Sequence, residues 1–353
     1  MMHPSKTSDA QAVPIQVQPA SKPSNNRPYV RLFQGPWQKR RQQMAYLSWL
    51  LVLGLPWLSW NERPLVQLNF SEPQWFFLGW VGTPSDLWWL AQALVLAVLL
   101  LFVVTTYYGR VWCGFACPQT LWTFAFIEIE QFFEGTRHQR MKLDQQPLHA
   151  RKFKAKALKH LTWLGVAGLT GFGLVSWVLP PALAYSIWQA EGLSNSYWMA
   201  WLLLSGGTYL NAGWMRTLIC QHVCPYARFQ SVMFDRMTQV VRYDSNRGES
   251  RGARSKKQNP AELGLGDCID CNLCVQVCPA GIDIRQGLQY ECIQCAACVD
   301  ACDHVMSKMR YPTGLIGFQS EQPNQSFVGL RRKRQAYLGL MALLICAMFL
   351  QGW

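Results

Sequence analysis

The chain is 353 residues long and half apolar, and its 33 Lys and Arg outnumber 20 Asp and Glu for a net charge of +13. That length holds two or three domains, but the apolar residues are gathered in blocks, which argues against a wholly soluble chain and toward a membrane. The basic clusters hug those blocks and bring no nucleic-acid recognition fold, so nucleic acid is set aside as a partner.

Residues 1–40, with Pro4, Pro14, Pro19, Pro23 and Pro28 among Ser, Gln and Asn, read as a disordered N-terminal tail that cannot bury a core. The tail is polar and no signal peptide is evident. Apolar blocks follow at 44–60, 87–107, 158–179, 197–210 and 336–353, each near the roughly 20 residues that cross a bilayer core. Tyr46, Trp57, Trp60, Trp88, Tyr107, Tyr108, Trp177 and Trp198 sit at block edges, as in interfacial belts. Between the first two blocks, 61–86 reads as an external loop that dips back to the interface, and 180–196 as a short external segment. The Lys and Arg residues fall in the tail, in 109–159 and in 211–334, with only Arg63 among the intervening segments. The positive-inside rule then puts the N-terminus and both basic segments on the cytoplasmic side.

Two turns after the second and fourth blocks share a pattern. Arg110-Val111-Trp112-Cys113-Gly114-Phe115-Ala116-Cys117-Pro118 and Arg216-Thr217-Leu218-Ile219-Cys220-Gln221-His222-Val223-Cys224-Pro225 share C-x3-C-P, 107 positions apart, with an arginine three residues before the first cysteine in one and four before it in the other. This spacing predicts two parallel repeats, the first two spans matching the next two, with four cysteines meeting near the inner face. In a helix, Cys113 and Cys117 would share one face, as would Cys220 and Cys224, with Cβ atoms about 5–6 Å apart. A disulfide wants about 3.8 Å and an oxidising compartment. A soft thiolate site suited to Cu(I), Zn or Fe–S is one reading; small buried cysteines packing two turns are the other. Arg110 and Arg216 read as topology anchors or as charge balance for such a site. His222 is a weak ligand candidate, because Phe115 holds its matching place, and Met215 and Met233 read as packing. Glu128, Glu130 and Glu134 are expected to be solvated interfacial groups rather than proton carriers.

Eight of the 13 cysteines lie in two further runs, Cys268-x2-Cys271-x2-Cys274-x3-Cys278-Pro279 and Cys292-x2-Cys295-x2-Cys298-x3-Cys302. Three thiolates in one tight loop and a fourth a little further on is the spacing of bacterial ferredoxins with two [4Fe-4S] clusters, in which the fourth cysteine of each run serves the other cluster. One set is therefore Cys268, Cys271, Cys274 and Cys302, and the other Cys292, Cys295, Cys298 and Cys278. Zinc is the competing metal, but its paired C-x2-C sites usually carry a longer spacer. Asp303 follows the second run where Pro279 follows the first. Cys346, alone in the last block, reads as packing.

The resulting expectation is an α-helical polytopic membrane protein of about five spans in two parallel repeats, with an inserted cytoplasmic α+β two-cluster ferredoxin-like domain. Its parts are the tail 1–40, a four-span domain 41–240, the ferredoxin-like domain 241–330 and a fifth span 331–353.

The stretch 109–118, its echo at 216–225, the cysteine runs and the cluster Arg331-Arg332-Lys333-Arg334 before the fifth block closely resemble the cytochrome c oxidase accessory protein family, CcoG, also called FixG or RdxA. The resemblance covers about residues 30–353. It implies an inner-membrane iron–sulfur protein that reduces Cu(II) to Cu(I) for assembly of a cbb-type oxidase. Two [4Fe-4S] clusters are then the cofactors, with copper at Cys113, Cys117, Cys220 and Cys224. The implied partners are a cytoplasmic electron donor, a copper transporter or chaperone, cbb-type oxidase assembly factors and the lipid bilayer, with a homodimer as the candidate assembly. Family members continue past the last span into an external immunoglobulin-like domain, so a truncated chain or a short form is expected here. The alternatives are a quinol-oxidising ferredoxin subunit of periplasmic nitrate or nitrous oxide reduction, and a non-enzymatic assembly scaffold.

Overall fold

The computed structural model describes residues 28–60, 63–69, 73–178, 195–233, 237–258, 260–321 and 332–351. The tail before residue 28 and most of the second expected external segment lie outside the described residues.

The first helix, α1 (Pro36–Gly54), begins within the stretch expected to be disordered and well before the first apolar block. Pro36 fits the first turn, where no backbone N–H is needed. The backbone N–H groups of Trp37 and Gln38 donate to Asp300, at 3.1 and 2.9 Å, so a carboxylate from far along the chain satisfies the orphan donors of this helix start. Residues just upstream are ordered for the same reason. Val30 is 2% exposed, Leu32 and Phe33 pack beside Ile293 and Cys295, and Arg31 N–H donates to Gln276 O at 2.8 Å. The expected tail is therefore corrected: 28–40 carries apolar anchors that dock on the cysteine-rich part. At its other end α1 stops near Pro56, short of the predicted limit at residue 60.

The segment expected as an external loop forms strands. β1 (Ser59–Trp60) pairs with β2 (Arg63–Pro64), and β3 (Val66–Asn69), β4 (Gln74–Phe77) and β5 (Trp80–Gly82) make an antiparallel meander. Trp75 faces Gly82 in this register, and its indole occupies the space a Cβ at 82 would need.

Helix α2 (Leu87–Tyr108) is the core of a 25-residue helical stretch, Pro84–Tyr108, the one helix among the described residues long and apolar enough by both measures to cross a membrane. It packs against the last helix, and Phe102 meets Tyr337 there at 5.9 Å. The basic stretch after it is helical rather than loop: α3 (Val111–Phe115), α4 (Pro118–Glu134) and α5 (Arg137–Gln145) lead to α6 (Ala150–Ser176). Helix α7 (Asn195–Thr208) lies along α6, where Gly171 admits Ser205 so closely that a Cβ would sit 2.2 Å from its Oγ. The core of this bundle joins Leu121, Trp122 and Phe126 of α4 to Trp163 and Ala167 of α6 and to Ala212. Beyond α7 the helix widens into π-type turns at Tyr209–Met215 and Ile219–Val223 before α8 (Pro225–Met233).

The cysteine runs are bracketed by β6 (Val240–Tyr243) and β7 (Ile316–Gln319), antiparallel with Val240 opposite Gln319 and Tyr243 opposite Ile316. Between these strands, α9 (Ala297–Met309) begins within the second run and carries Cys298 and Cys302. The chain's last described element is α10 (Arg332–Gln351).

Candidate functional site: two cysteine cavities beside paired thiol turns

Both cysteine runs curl in the same way. Asp270 and Asn272 in the first, and Gln294 and Ala296 in the second, have φ between 51° and 57°, a left-handed conformation that non-glycine residues adopt rarely and at a cost. Alternating left-handed residues bend each loop around a concave face. Cys268, Cys271, Cys274 and Cys302 line one small cavity, with Tyr243, Met306 and Leu315 on its walls. Cys278, Cys292, Cys295 and Cys298 line a second, and Cys274 lies on the wall of both. The two cavities are therefore neighbours.

These residues fit iron–sulfur clusters. Each cavity gathers four soft thiols in apolar surroundings, the donor set such clusters take. Burial pushes the Cys278 and Cys302 thiols up to about 12 and those of Cys274 and Cys292 up to about 11; a bound metal deprotonates coordinating thiols outright. At the rim of the first cavity Arg285 pairs with Asp283 at 2.7 Å and Asp270 at 2.5 Å, tying the loop to the residues after Cys278.

The two CxxxCP turns close alike. The amide of Cys117 donates to Trp112 O and that of Cys224 to Ile219 O, both at 2.8 Å. Cys117 (ψ 125°) and Cys224 (ψ 113°) have extended backbone, as residues before proline prefer, and Pro118 and Pro225 start α4 and α8. The helical i, i+4 pairing expected for these cysteines is thus corrected: the second of each pair has left the helix. The turns meet. Gln119 Nε2 donates to Asn211 O at 2.9 Å and Arg216 O at 3.1 Å, and Cys113 Sγ lies 3.6 Å from Gln230 Oε1 on α8. Burial raises the Cys113 thiol to about 12, and nearby Cys117 and Cys220 add to the shift. Burial likewise raises Cys220 to about 11, with further contributions from Cys117 and Cys224. His222 is exposed, as is Cys346, which is therefore not packed inside the protein.

The first turn is clamped to the second cavity. A Cβ on Gly114 would lie 2.6 Å from Gln294 O and 3.1 Å from Cys295 Cα, so only glycine permits this backbone approach. Cys113 packs in the same apolar cluster as Cys295 and Cys298. Arg110 donates to Tyr290 O (2.6 Å), Cys292 O (3.3 Å) and Ala227 O (2.9 Å), and its own amide donates to Gln294 Oε1 at 2.8 Å. Arg41 donates to Cys295 O and stacks 3.8 Å over Phe124.

Sequence reasoning missed most of this clamp. Arg41 sat just past the supposed tail and short of the first apolar block, Arg110 looked like a topology anchor, and Gln294 and Asp300 carried no signal beyond lying among cysteines. The glutamates are corrected too. Glu130 and Glu134 are each 8% exposed, not solvated: Glu130 pairs with Arg140 (3.2 Å) and Arg216 (2.8 Å), and Glu134 with Lys156 (3.0 Å) and Lys159 (2.8 Å).

Residues 215–321 match the family model of a 4Fe-4S dicluster domain, and residues 90–123 match a 4Fe-4S binding domain. The chain is 37% identical over 298 residues to the nitrogen fixation protein FixG of Rhizobium meliloti, a match covering 82% of this chain and 57% of that protein. It is 39% identical to Protein RdxA of Cereibacter sphaeroides (76% of this chain, 59% of that protein) and 39% identical to Protein RdxB of the same organism (74% and 56%). The chain thus spans less than two thirds of the length of these relatives. No solved structure matches. The paired cysteine cavities, the cluster-domain matches and identities sustained over most of its length together place the chain in the FixG/RdxA family of iron–sulfur proteins.

Proposed function

We propose that the protein is a membrane electron relay that delivers single electrons from its ferredoxin-like part to the paired CxxxCP turns, where Cu(II) is reduced to Cu(I) for cbb-type oxidase assembly. The observation that carries this reading is the packing of Cys113 beside Cys295 and Cys298, with Gly114 allowing backbone contact at Gln294 and Cys295. Cys268, Cys271, Cys274 and Cys302 hold one cluster, and Cys278, Cys292, Cys295 and Cys298 the other. Bound there, the clusters supply one-electron carriers of tunable potential. Arg110 and Arg41 hold the carbonyls of the second loop, fixing its distance from the turn. Cys113, Cys117, Cys220 and Cys224 are the thiols that copper meets, although among the described residues no three of them are already gathered as a metal site; thiolates are soft ligands that favour Cu(I).

Helices α1, α2, α6, α7 and α10 are read as five spans, with α1–α2 and α6–α7 as parallel repeats ending in the two turns. The shared closure at Cys117 and Cys224 supports the repeat, and the Lys and Arg distribution supports a cytoplasmic ferredoxin part. The partners on this reading are a cytoplasmic or membrane donor of electrons, a copper transporter or chaperone, and the oxidase assembly machinery. Anaerobic mixing of dithionite-reduced protein with stoichiometric Cu(II) and a Cu(I)-specific chelator tests the reading. Prompt Cu(I) formation supports it; a mixture that stays at the buffer rate contradicts it.

A further inference from the structure

A cleft of about 420 Å³ between α1, α4 and α6 is lined chiefly by apolar and aromatic side chains. Its polar groups gather at one end. Gln38 and Gln42 both donate to Glu128 Oε1, at 3.0 and 2.8 Å, leaving the other carboxylate oxygen to accept from an occupant. Two buried donors on its lining, Arg41 Nε and Trp49 Nε1, have no hydrogen-bond partner among the described residues. Guanidinium and indole N–H groups can only donate, and leaving them buried and unpaired costs free energy that an acceptor oxygen would recover.

The occupant therefore needs an acceptor for Arg41, a hydroxyl donor for Glu128 and a flat apolar body for the aromatic walls. A phospholipid headgroup fits poorly, because Glu128 would meet its phosphate and the Arg41 guanidinium is already engaged by Cys295 O and Gln38 Oε1. A ring bearing hydroxyl or carbonyl oxygens on a lipophilic tail fits on all three counts. The cleft also touches the ferredoxin-like part at one remove, since Arg41 bridges its polar end to the Cys295 carbonyl. We infer that this cleft binds the head of a membrane quinol, with the Glu128 carboxylate accepting from one ring hydroxyl and Arg41 Nε donating to the other ring oxygen. This rests on the electron-relay reading for its purpose and on the cleft alone for its existence.

The test is photolabelling of the purified, cluster-loaded protein in lipid nanodiscs with a short-chain azidoquinone held in its quinol form, with visible absorbance and iron content recorded for every variant. Ala125 lines the cleft, and Ala125→Phe fills it without touching the polar end; Glu128→Gln keeps the shape and removes the charge. The expected result is labelling of α1 and α4 peptides that unlabelled quinol displaces, lost in Ala125→Phe and weakened about tenfold in Glu128→Gln, the worth of one charge-assisted hydrogen bond, at unchanged iron content. Labelling elsewhere, labelling that quinol does not displace, or equal labelling in both variants overturns the site. Dithionite-driven Cu(I) formation is measured alongside. If it persists when quinol binding is absent, the cleft reading fails and the copper reading stands; if quinol binds and no Cu(I) forms, the reverse holds.

Discussion

Arg216 Nη2 lies 2.8 Å from Glu130 Oε1, which ties the start of the second CxxxCP turn to the helix that begins at the end of the first. Arg140 shares the same carboxylate at 3.2 Å, and all three side chains are nearly out of solvent. Removing one partner of such a set leaves charge buried and uncompensated. Glu130→Ala is expected to cost about 3–5 kcal/mol, read as a fall in the thermal unfolding midpoint of the purified protein. A change below about 1 kcal/mol, the scale of an exposed pair, would show that the network is solvated after all.

Arg110 sits one position from the place matching Arg216 in the first repeat and does different work, holding the carbonyls of Tyr290 and Cys292 in the second cysteine run's loop and that of Ala227 on α8. Each bond from a charged donor is worth about 1.5–3 kcal/mol. Arg110→Ala should release the Cys292 loop and lower iron per chain. Arg110→Lys should rescue little, because a point charge cannot replace the planar fork. Iron content equal to wild type in both variants would remove Arg110 from the clamp.

Backbone contact at Gly114 makes a sharper case, because its neighbours are main-chain atoms that cannot rotate away. Gly114→Ala is expected to destabilise by about 1–3 kcal/mol and to expose the second cysteine loop to protease. Gly206→Ala is the control: a Cβ there meets nothing within 4 Å, and helix propensity favours alanine by about 1 kcal/mol.

Metal analysis separates the two cavities from other thiol chemistry. The purified chain should carry about eight irons and acid-labile sulfide, with zinc below stoichiometry. Cys271→Ser and Cys295→Ser should each lower the iron content, whereas Cys346→Ser, on an exposed face of α10, should leave it unchanged. One or two zinc ions in place of iron would contradict the assignment.

What could be read from the chain was what local spacing encodes. The i, i+3, i+6 cysteines, the proline after each CxxxC and the apolar run of α2 needed no partner to be visible. The contacts that assemble the site are long-range and left no such trace: Arg41 reaches Cys295 across 254 positions and Trp37 reaches Asp300 across 263. Val30, Leu32 and Phe33 were lost in a proline-rich context, although three apolar residues in four are a fair docking signal. Glu130 and Glu134 look solvated in sequence because the cations that bury them come from α5, α6 and the second turn. The strands at 66–82 were obscured by aromatic residues that equally suit a membrane interface.

The most direct test of the relay is Cu(II) reduction by a variant with Cys113, Cys117, Cys220 and Cys224 all changed to Ser, compared with wild type at matched iron content. Both proteins are reduced with dithionite, freed of excess, and mixed anaerobically with Cu(II) and a Cu(I) chelator. If the thiol turns are where the electron meets copper, Cu(I) forms at least tenfold more slowly in the variant while its visible absorbance in the oxidised state is unchanged. Equal rates in the two proteins would contradict the account and remove the four cysteines from it.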